Sequence, residues 1–330
     1  MRLFLLLPRI KKGAPFECGF SARFEGGCMT LGKKPIPQSV KYARWGWLFV
    51  TPWIIGFLCF TLGPMLASLV LSFTEYNGRS SPVWVGLGNY AKLFKDPKVL
   101  NSLGITFKFA FMSIPLSILA GFFLACLLNT KIRLMNFWRT LFYLPAMISG
   151  VVVAMLWRGL FDDQYGIINY LLRSVGLKGP LWLNDPKYTL YCFLFLTVWG
   201  CGGGMIIYLS GLQSIPTSLY EAAELDGCGK FKKMIHITIP QMTPILFFQL
   251  IMGIIGAFQI FAEPMILTKG GPAESTMFYN LYLYNNAFKY QSMGYASALA
   301  WVLFVIVLLL TLVVFKSSEL WVFYEGEVKK

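Results

Sequence analysis

The chain has 330 residues, of which 56% are hydrophobic and only 13% are charged. A soluble domain carries roughly 25% charged residues, so this composition excludes an ordinary soluble protein and indicates a lipid-embedded one. The net charge of +14 could indicate nucleic-acid binding. The positive charges are sorted by loop, as described below, so we expect no nucleic-acid partner.

The spacing of charged residues predicts the number of membrane spans. A helix that crosses the hydrocarbon layer needs about 20 mostly apolar residues, and six intervals lack Asp, Glu, Lys, Arg and His for 18 residues or more. We therefore predict an all-α membrane protein with six transmembrane helices. The expected spans are about 45–74, 104–130, 140–160, 188–212, 240–263 and 292–315. A transmembrane barrel is rejected, because runs such as 301–314 do not alternate in hydrophobicity.

The lysines and arginines indicate how these spans are oriented. With the N-terminus in the cytoplasm, the inner segments carry 18 Lys and Arg and the outer segments carry 10. This excess agrees with the positive-inside rule. We expect both termini to be cytoplasmic, with a basic tail at 1–44, a membrane domain at 45–316 and a second tail at 317–330. Within the first tail, residues 1–28 are hypothesised to be dispensable.

The outer segment 263–292 carries an aromatic run from Phe278 to Tyr290. Aromatic residues at a membrane boundary commonly form an interfacial belt. A role in gating or in docking a partner is the alternative.

The inner loop 216–240, between the fourth and fifth spans, has the most informative local pattern. Ser218 and Glu221 have the spacing of a capping box, which predicts the start of a short helix. Ala222 and Ala223 favour helix, whereas Gly227 and Gly229 are expected to break it. The predicted product is a helix–turn–helix suited to insertion into a groove of another protein. A solvated connector in which Glu221 only caps its helix is the alternative.

This loop resembles the EAA loop of permease subunits of bacterial binding-protein-dependent ATP-binding-cassette (ABC) importers. Glu221-Ala222-Ala223 and Gly227 match the motif at its fixed spacing, and 237–240 match its end with Ile in place of Leu. Cys228 stands where the sugar-importing branch usually has Ala.

Further segments extend the resemblance to about residues 45–316 and are similar to the maltose-type, MalF-like branch of sugar permeases. They are the segments 88–97, 137–145, 267–272 and 293–298.

The resemblance implies a fold and a mechanism. The fold would be that of a type I ABC importer permease in the bacterial inner membrane, forming half of a pore for a sugar or oligosaccharide. The partners would be a second, MalG-like permease, two ATP-binding subunits and an extracytoplasmic solute-binding protein. The loop would dock on an ATPase subunit. The residues that the resemblance and the loop pattern assign to this coupling are Glu221, Ala222, Ala223, Asp226, Gly227 and Phe231.

The chain itself is expected to be non-catalytic. It lacks the Walker A pattern that holds ATP phosphates, so ATP and Mg are expected on the partner subunits and no cofactor on this chain. One histidine, His236, cannot build a metal site, and no metal is expected.

Polar and small residues in two spans are candidates for the solute path. In the fifth span, Gln249, Gly253, Gly256, Gln259 and Glu263 share one helix face by their spacing. In the fourth span, three consecutive glycines permit an unwound turn, and two aromatic residues there could stack on a sugar ring. Those candidates are Trp199, Gly200, Gly203, Gly204 and Tyr208. Tight helix packing is the alternative for both sets.

Two other functions remain open at this point. One is an ABC permease for another solute, such as glycerol phosphate, a polyol or an amino acid. The other is a stand-alone ion-coupled transporter, which needs ionisable groups deep in its spans. Only Lys108 and Glu263 come near that requirement.

Overall fold

The computed structural model describes residues 38–130 and 133–323, with side chains described from Gly46 onward. Most of the predicted N-terminal tail, including residues 1–28, and the last seven residues of the chain lie outside the described residues. Residues up to Leu58 form a unit of their own, and residues from Cys59 onward form the second.

Helices make up most of the described chain. The first unit contains α1 (Gln38–Phe57), in which Trp53 stacks on Phe57 with ring centroids 5.6 Å apart. The second unit contains α2 (Gly63–Ser72), α3 (Gly88–Lys95), α4 (Pro97–Leu128), α5 (Met135–Met147), α6 (Gly150–Leu160), α7 (Ile167–Ser174), α8 (Pro186–Trp199), α9 (Gly202–Ser214), α10 (Thr217–Leu225), α11 (Lys230–Lys233), α12 (Ile239–Phe258), α13 (Ala262–Leu267), α14 (Tyr279–Tyr284) and α15 (Met293–Trp321). Single π-helical turns cover Leu58–Leu62, Met234–Thr238 and Asn285–Lys289.

Four helical stretches are long and apolar enough to cross a membrane: Gly46–Ser72, Pro97–Leu128, Lys230–Leu267 and Met293–Trp321. Two further helix pairs pass the same test only when taken together. The pair α5 and α6 is bent by 94°, and the pair α8 and α9 by 42°. If each bent pair is one span, the described chain has the six predicted spans.

The third span, predicted as continuous over 140–160, is therefore broken. Pro145 lies within α5, as expected, but the helix ends two residues later and α6 leaves at nearly a right angle. The three glycines of the fourth span differ from expectation as well. Gly202, Gly203 and Gly204 are helical, and the break lies just before them at Gly200 and Cys201.

Some helix ends differ from the predicted boundaries because of local capping. The second span begins at Pro97 and not near 104, since the Asp96 side chain accepts a hydrogen bond from the Lys98 backbone N–H at 3.0 Å and caps α4. The last span continues to Trp321, five residues into the predicted C-terminal tail.

The aromatic run of the outer segment is mostly core and not an interfacial belt. Phe278, Tyr279 and Tyr282 are buried, while Phe288 and Tyr290 are exposed. The Tyr279 hydroxyl donates to the Leu299 carbonyl at 2.9 Å, and its backbone N–H donates to Thr106 Oγ1 at 3.0 Å. The segment thus packs between α4 and α15 and helps to form the main hydrophobic core.

A two-stranded antiparallel sheet lies between α2 and α3. Its strands, β1 (Thr74–Glu75) and β2 (Val83–Trp84), pair in the register Thr74 with Trp84 and Glu75 with Val83. The start of α15 packs closely on β1, because Gly294 has no Cβ to meet the Thr74 carbonyl and its N–H donates to the Tyr76 carbonyl at 3.1 Å.

Candidate coupling and permeation sites

The predicted inner helix–turn–helix is present as α10 and α11, but its first turn differs from the predicted capping box. The helix begins at Thr217, its N-cap is Pro216, and no side chain caps it. Ser218 is already helical, and Glu221 is exposed in the helix interior. The capping-box prediction was wrong because the helix has its N-cap at Pro216, two residues before Ser218.

The end of α10 has the geometry of a Schellman motif. Gly227 has φ of 73°, in the left-handed region, and follows the C-cap Asp226. The Gly227 N–H donates to the Glu224 carbonyl at 3.0 Å, and the Cys228 N–H donates to the Ala223 carbonyl at 2.9 Å. Gly227 thus ends the helix as predicted, whereas Gly229 has an ordinary φ of −70° and precedes α11.

The predicted coupling residues form an exposed surface on this turn. Glu221, Ala222, Asp226 and Gly227 are exposed, and Ala223 is half-buried. Two large apolar side chains stand out beside them: Leu225 is 90% exposed and Phe231 is 77% exposed. An apolar knob of this kind outside the predicted spans fits a contact with another protein.

The other side of the turn is held against the start of the fifth span. The Tyr220 hydroxyl and Thr238 Oγ1 are hydrogen-bonded at 2.9 Å, and Ile215 and Tyr220 pack in the core of α4, α9 and α12. Lys233 and Glu224 form an ion pair at 3.5 Å, which contributes little because Glu224 is largely exposed. The turn is therefore held against α12 mainly through packing.

A cleft of about 600 Å³ lies between α4, α8 and the end of α12. Four of the predicted path residues line it together: Gly253, Gly256, Gln259 and Glu263. They do not share one continuous helix, since α12 ends at Phe258 and Glu263 lies in α13. The break brings them around the cleft instead.

The small residues of the fifth span serve both helix packing and cleft lining. A Cβ on Gly253 would lie 3.3 Å from Ile114 Cγ2, whereas a Cβ on Gly256 would meet nothing within 4 Å. Gly253 therefore permits close approach of α4, and Gly256 leaves the cleft open.

Three helix breaks meet at one place next to this cleft. A cavity of about 190 Å³ is lined by Ile148 and Gly150 from the α5–α6 break, by Trp199 and Gly200 from the α8–α9 break, and by Ile260 from the α12–α13 break. Helix breaks at membrane depth expose backbone groups that a solute can contact.

Glu263 lines both the cleft and this smaller cavity. A Cβ built on Gly150 would lie 3.4 Å from Glu263 Oε1, so the carboxylate lies against the first residue of α6. Unpaired backbone N–H groups at a helix N-terminus favour a negative charge. This contact accounts for a carboxylate at this depth.

The remaining predicted path residues lie elsewhere. Tyr208 is only 1% exposed, its ring packs on Phe122 at 5.9 Å, and its hydroxyl has no hydrogen-bond partner within the described part of the chain. Gln249 lies against Gly204, whose missing Cβ makes room for the amide. Trp199 packs on Trp157 at 5.6 Å. Gly203 faces Ala146, where a Cβ would be 3.3 Å away. In this conformation Tyr208, Gln249, Gly203 and Gly204 form helix contacts and not cleft lining.

Three polar cleft residues were not identified from the sequence: Ser113, Ser117 and Thr197. Ser113 and Ser117 are four residues apart on α4 and therefore share a helix face. This spacing is visible in the sequence and could have identified them as cleft residues. The Ser117 hydroxyl donates to the Ile114 carbonyl at 3.0 Å, and the Thr197 hydroxyl to the Phe193 carbonyl at 3.1 Å. Their oxygens remain able to accept hydrogen bonds from a solute.

No group of three or more metal-ligating side chains occurs among the described residues. His236 is exposed, with Nδ1 3.1 Å from the Lys232 carbonyl oxygen.

Comparisons with known proteins agree with the architecture. Residues 113–318 match the family described as "Binding-protein-dependent transport system inner membrane component". The chain is 46% identical over 287 residues to the probable ABC transporter permease protein YesP of Bacillus subtilis, covering 86% of this chain and 93% of YesP. It is 36% identical over 282 residues to the lactose transport system permease protein LacF of Rhizobium radiobacter, covering 83% and 94%.

The fold matches a solved structure as well. A subunit of a bacterial alginate ABC transporter, crystallised in complex with an alginate pentasaccharide-bound periplasmic protein, superposes with a TM-score of 0.76. The match covers 85% of this chain and 96% of that subunit, at 22% identity. The fold, the apolar helices and these relatives agree: the chain belongs to the family of binding-protein-dependent transport system inner membrane components, and it is a permease subunit of an ABC transporter in the inner membrane.

Proposed function

We propose that this chain forms half of the translocation pore of an ABC importer for a sugar or oligosaccharide. The cleft lined by Gly256, Gln259 and Glu263, where three helix breaks meet, carries the proposal. The relatives named above include a lactose transport permease, and the structural neighbour is part of an alginate transporter.

The chemistry of the cleft suits a hydroxylated solute. The Gln259 amide both donates and accepts hydrogen bonds, the Glu263 carboxylate accepts them, and the Ser117 and Thr197 oxygens add acceptors. Phe109 and Phe261 supply apolar ring surface in the same lining. Alternating polar groups and flat apolar faces match the hydroxyl edges and C–H faces of a sugar ring.

Glycerol phosphate is less well suited to this lining. Among the described residues around the cleft there is a carboxylate but no lysine or arginine. A phosphate group would meet Glu263 without a compensating cation.

The inner turn is proposed to couple the pore to an ATPase subunit. Glu221, Ala222, Ala223, Asp226, Gly227 and Phe231 would contact a groove of that subunit, and the packing of α10 against α12 would pass its movement to the cleft. ATP and Mg would be held by the two ATP-binding subunits. We propose that both termini and this turn lie in the cytoplasm. The predicted inner segments carry 18 Lys and Arg and the outer segments carry 10, as the positive-inside rule expects.

The remaining partners are a second, MalG-like permease and an extracytoplasmic solute-binding protein. A single permease presents its cleft on an open side, which a second permease would close. The complex of the alginate transporter with a periplasmic protein supports the binding-protein partner.

ATPase stimulation in proteoliposomes tests the substrate class. The assembled transporter and its solute-binding protein would be exposed in turn to neutral oligosaccharides, acidic oligosaccharides, glycerol phosphate and amino acids. The proposal expects stimulation by saccharides alone. Stimulation by glycerol phosphate or amino acids, with saccharides inactive, would refute the sugar assignment.

A further inference from the structure

An exposed apolar surface lies outside the membrane-spanning stretches, on the short helix α3 and the hairpin before it. Leu87 is 68% exposed, Phe94 is 74% exposed and Trp84 is 67% exposed. We call these three residues the outer apolar patch. Leu87 is the N-cap of α3 and Phe94 lies seven residues later, so these two side chains are on one side of the helix, with the exposed Ala91 between them.

The opposite face of α3 is fixed to the protein. Leu93 is buried, and the Asn89 side chain donates to the Ser72 and Thr74 carbonyls at 2.9 Å each. The Tyr90 hydroxyl is hydrogen-bonded to Ser72 Oγ at 2.8 Å. The helix therefore cannot turn its apolar face inward, and Leu87 and Phe94 are held outward by its anchored side.

The neighbouring span gives the depth of the patch. α4 begins at Pro97 and contains 32 residues, so its length is about 48 Å against roughly 30 Å of hydrocarbon. The helix therefore extends beyond the hydrocarbon, which leaves room for its first turns, and for α3 directly before them, to lie at headgroup depth. Along α4, Leu100, Phe107 and Phe111 form an exposed apolar stripe that begins six residues after Phe94.

The charges around the patch complement an anionic lipid surface. Arg79 and Lys95 are exposed, as is the carboxylate of Glu75 in β1, and none of the three has a salt-bridge partner among the described residues. The nearby Asp96 is occupied by two tyrosine hydroxyls, and Glu274 is paired with Lys98 at 2.8 Å. Lys95 lies on the edge of the apolar face, where its ammonium reaches headgroups while Phe94 enters the acyl boundary.

We propose that the outer apolar patch is a membrane anchor, which holds α3 and the hairpin in the interface of an anionic phospholipid bilayer. The anchor fixes the outer end of α4, and with it one wall of the cleft, at a constant depth. It goes beyond the proposed function and does not depend on which solute is transported or on which side of the membrane α3 lies.

Spin-label accessibility measures the depth of this surface. In a variant with its native cysteines replaced, Phe94→Cys or Leu87→Cys would carry a nitroxide, and the assembled transporter would be placed in nanodiscs of phosphatidylethanolamine and phosphatidylglycerol. Lys178→Cys, at an exposed polar position in the loop after α7, is the matched aqueous control. We expect collisions with a water-soluble nickel chelate to be at least about fivefold rarer at residues 94 and 87 than at 178, with oxygen collisions favoured, as for interfacial helices.

Two results would overturn the anchor. Nickel accessibility at 94 and 87 equal to that at 178 would show that the patch faces water. Accessibility that is high until the solute-binding protein is added would show that the patch is a protein-docking surface. ATPase stimulation by saccharides would be unchanged in either case, so failure of the anchor is distinct from failure of the proposed function.

Discussion

The Tyr282 hydroxyl donates a hydrogen bond of 2.6 Å to Asp96 Oδ2, and the Tyr295 hydroxyl donates to the same oxygen at 2.9 Å. Asp96 also caps α4 through the Lys98 N–H. One carboxylate thus joins the outer end of α4 to α14 and α15, which are separated from it by more than 180 residues of sequence.

Replacing Asp96 by Asn should destabilise the outer end of the bundle. The loss of charge-assisted bonds from two tyrosines is expected to cost about 1–3 kcal/mol. Asp185→Asn is the matched control, because Asp185 caps α8 in the same Asp-Pro-Lys context at 2.9 Å and no tyrosine hydroxyl among the described residues donates to its carboxylate. A cap change of this kind costs only a few tenths of a kcal/mol. Thermal unfolding in detergent checks both. Equal losses in the two variants would show that the tyrosines contribute nothing.

The contribution of Asp96 to the free energy of unfolding has a predictable pH dependence. Burial by itself raises the pKa of Asp96, but hydrogen bonds from Tyr282, the Lys98 N–H and Tyr295 outweigh it and lower the pKa below its ordinary value of 3.8. Burial and the Asp96 contact raise the pKa of Tyr282 to about 12, so that tyrosine stays a donor. A lowered carboxyl pKa gives stability that is complete above about pH 4 and is lost as the pH falls through the folded-state pKa. The stability difference between wild type and Tyr282→Phe should therefore be constant from pH 7 to 5; a difference that vanished within this range would contradict the assignment.

Replacing Gly227 by Ala should impair coupling. A residue with a Cβ in the left-handed region costs roughly 1–2 kcal/mol, which would distort the end of α10. Gly229→Ala is the control, since Gly229 has an ordinary φ and open space around it. We expect Gly227→Ala to lower transport per ATP hydrolysed and Gly229→Ala to leave it unchanged. The ratio of solute uptake to phosphate release measures this, and identical ratios in both variants would exclude the need for this turn geometry.

Phe231→Ser should weaken attachment of the ATPase subunits without unfolding the permease, because the ring is exposed and makes little contact within the chain. Leu134→Ser, a 75% exposed residue between the predicted second and third spans, serves as the control. Co-purification of the ATPase with each variant is the measurement. Full recovery of the ATPase with Phe231→Ser would remove Phe231 from the proposed docking surface.

Gly256→Leu should block the cleft while preserving the fold. A side chain at Gly256 meets nothing within 4 Å and would project into the cleft that it lines, so uptake should fall by roughly tenfold or more, as expected where a small residue admits a ligand. Gly104→Leu in α4 also meets open space but does not line the cleft, and it should transport normally. Both variants should assemble in wild-type amounts. Normal uptake by Gly256→Leu would place the solute path elsewhere.

Much of this architecture follows from one-dimensional patterns. Lipid tolerates few charges, so each charge-free interval predicted an apolar helix or a bent pair of helices near its observed position. The 94° bend after Met147 could not be predicted in this way. Pro145 is accommodated inside α5, and the bend is set by contacts between segments distant in sequence, such as the approach of the Phe142 carbonyl to Gly202.

Predictions from residue type alone also placed some side chains in the wrong environment. The tyrosines and phenylalanines of 278–282 have the composition of an interfacial belt, but they are buried because the segment returns between α4 and α15. Tyr208 had the chemistry of a sugar-stacking residue, yet Gly121 leaves room for its ring, and it packs against α4. Side-chain type indicates what a residue can do, whereas its tertiary neighbours decide whether a solute can reach it.

Uptake into proteoliposomes tests most directly whether this chain is a pore subunit driven by a separate ATPase. Radiolabelled saccharide uptake would be compared for the complete assembly with ATP, for the assembly without its ATP-binding subunits, and for this chain alone. The account predicts ATP-dependent uptake by the complete assembly and none by the other two. Uptake by this chain alone would contradict it.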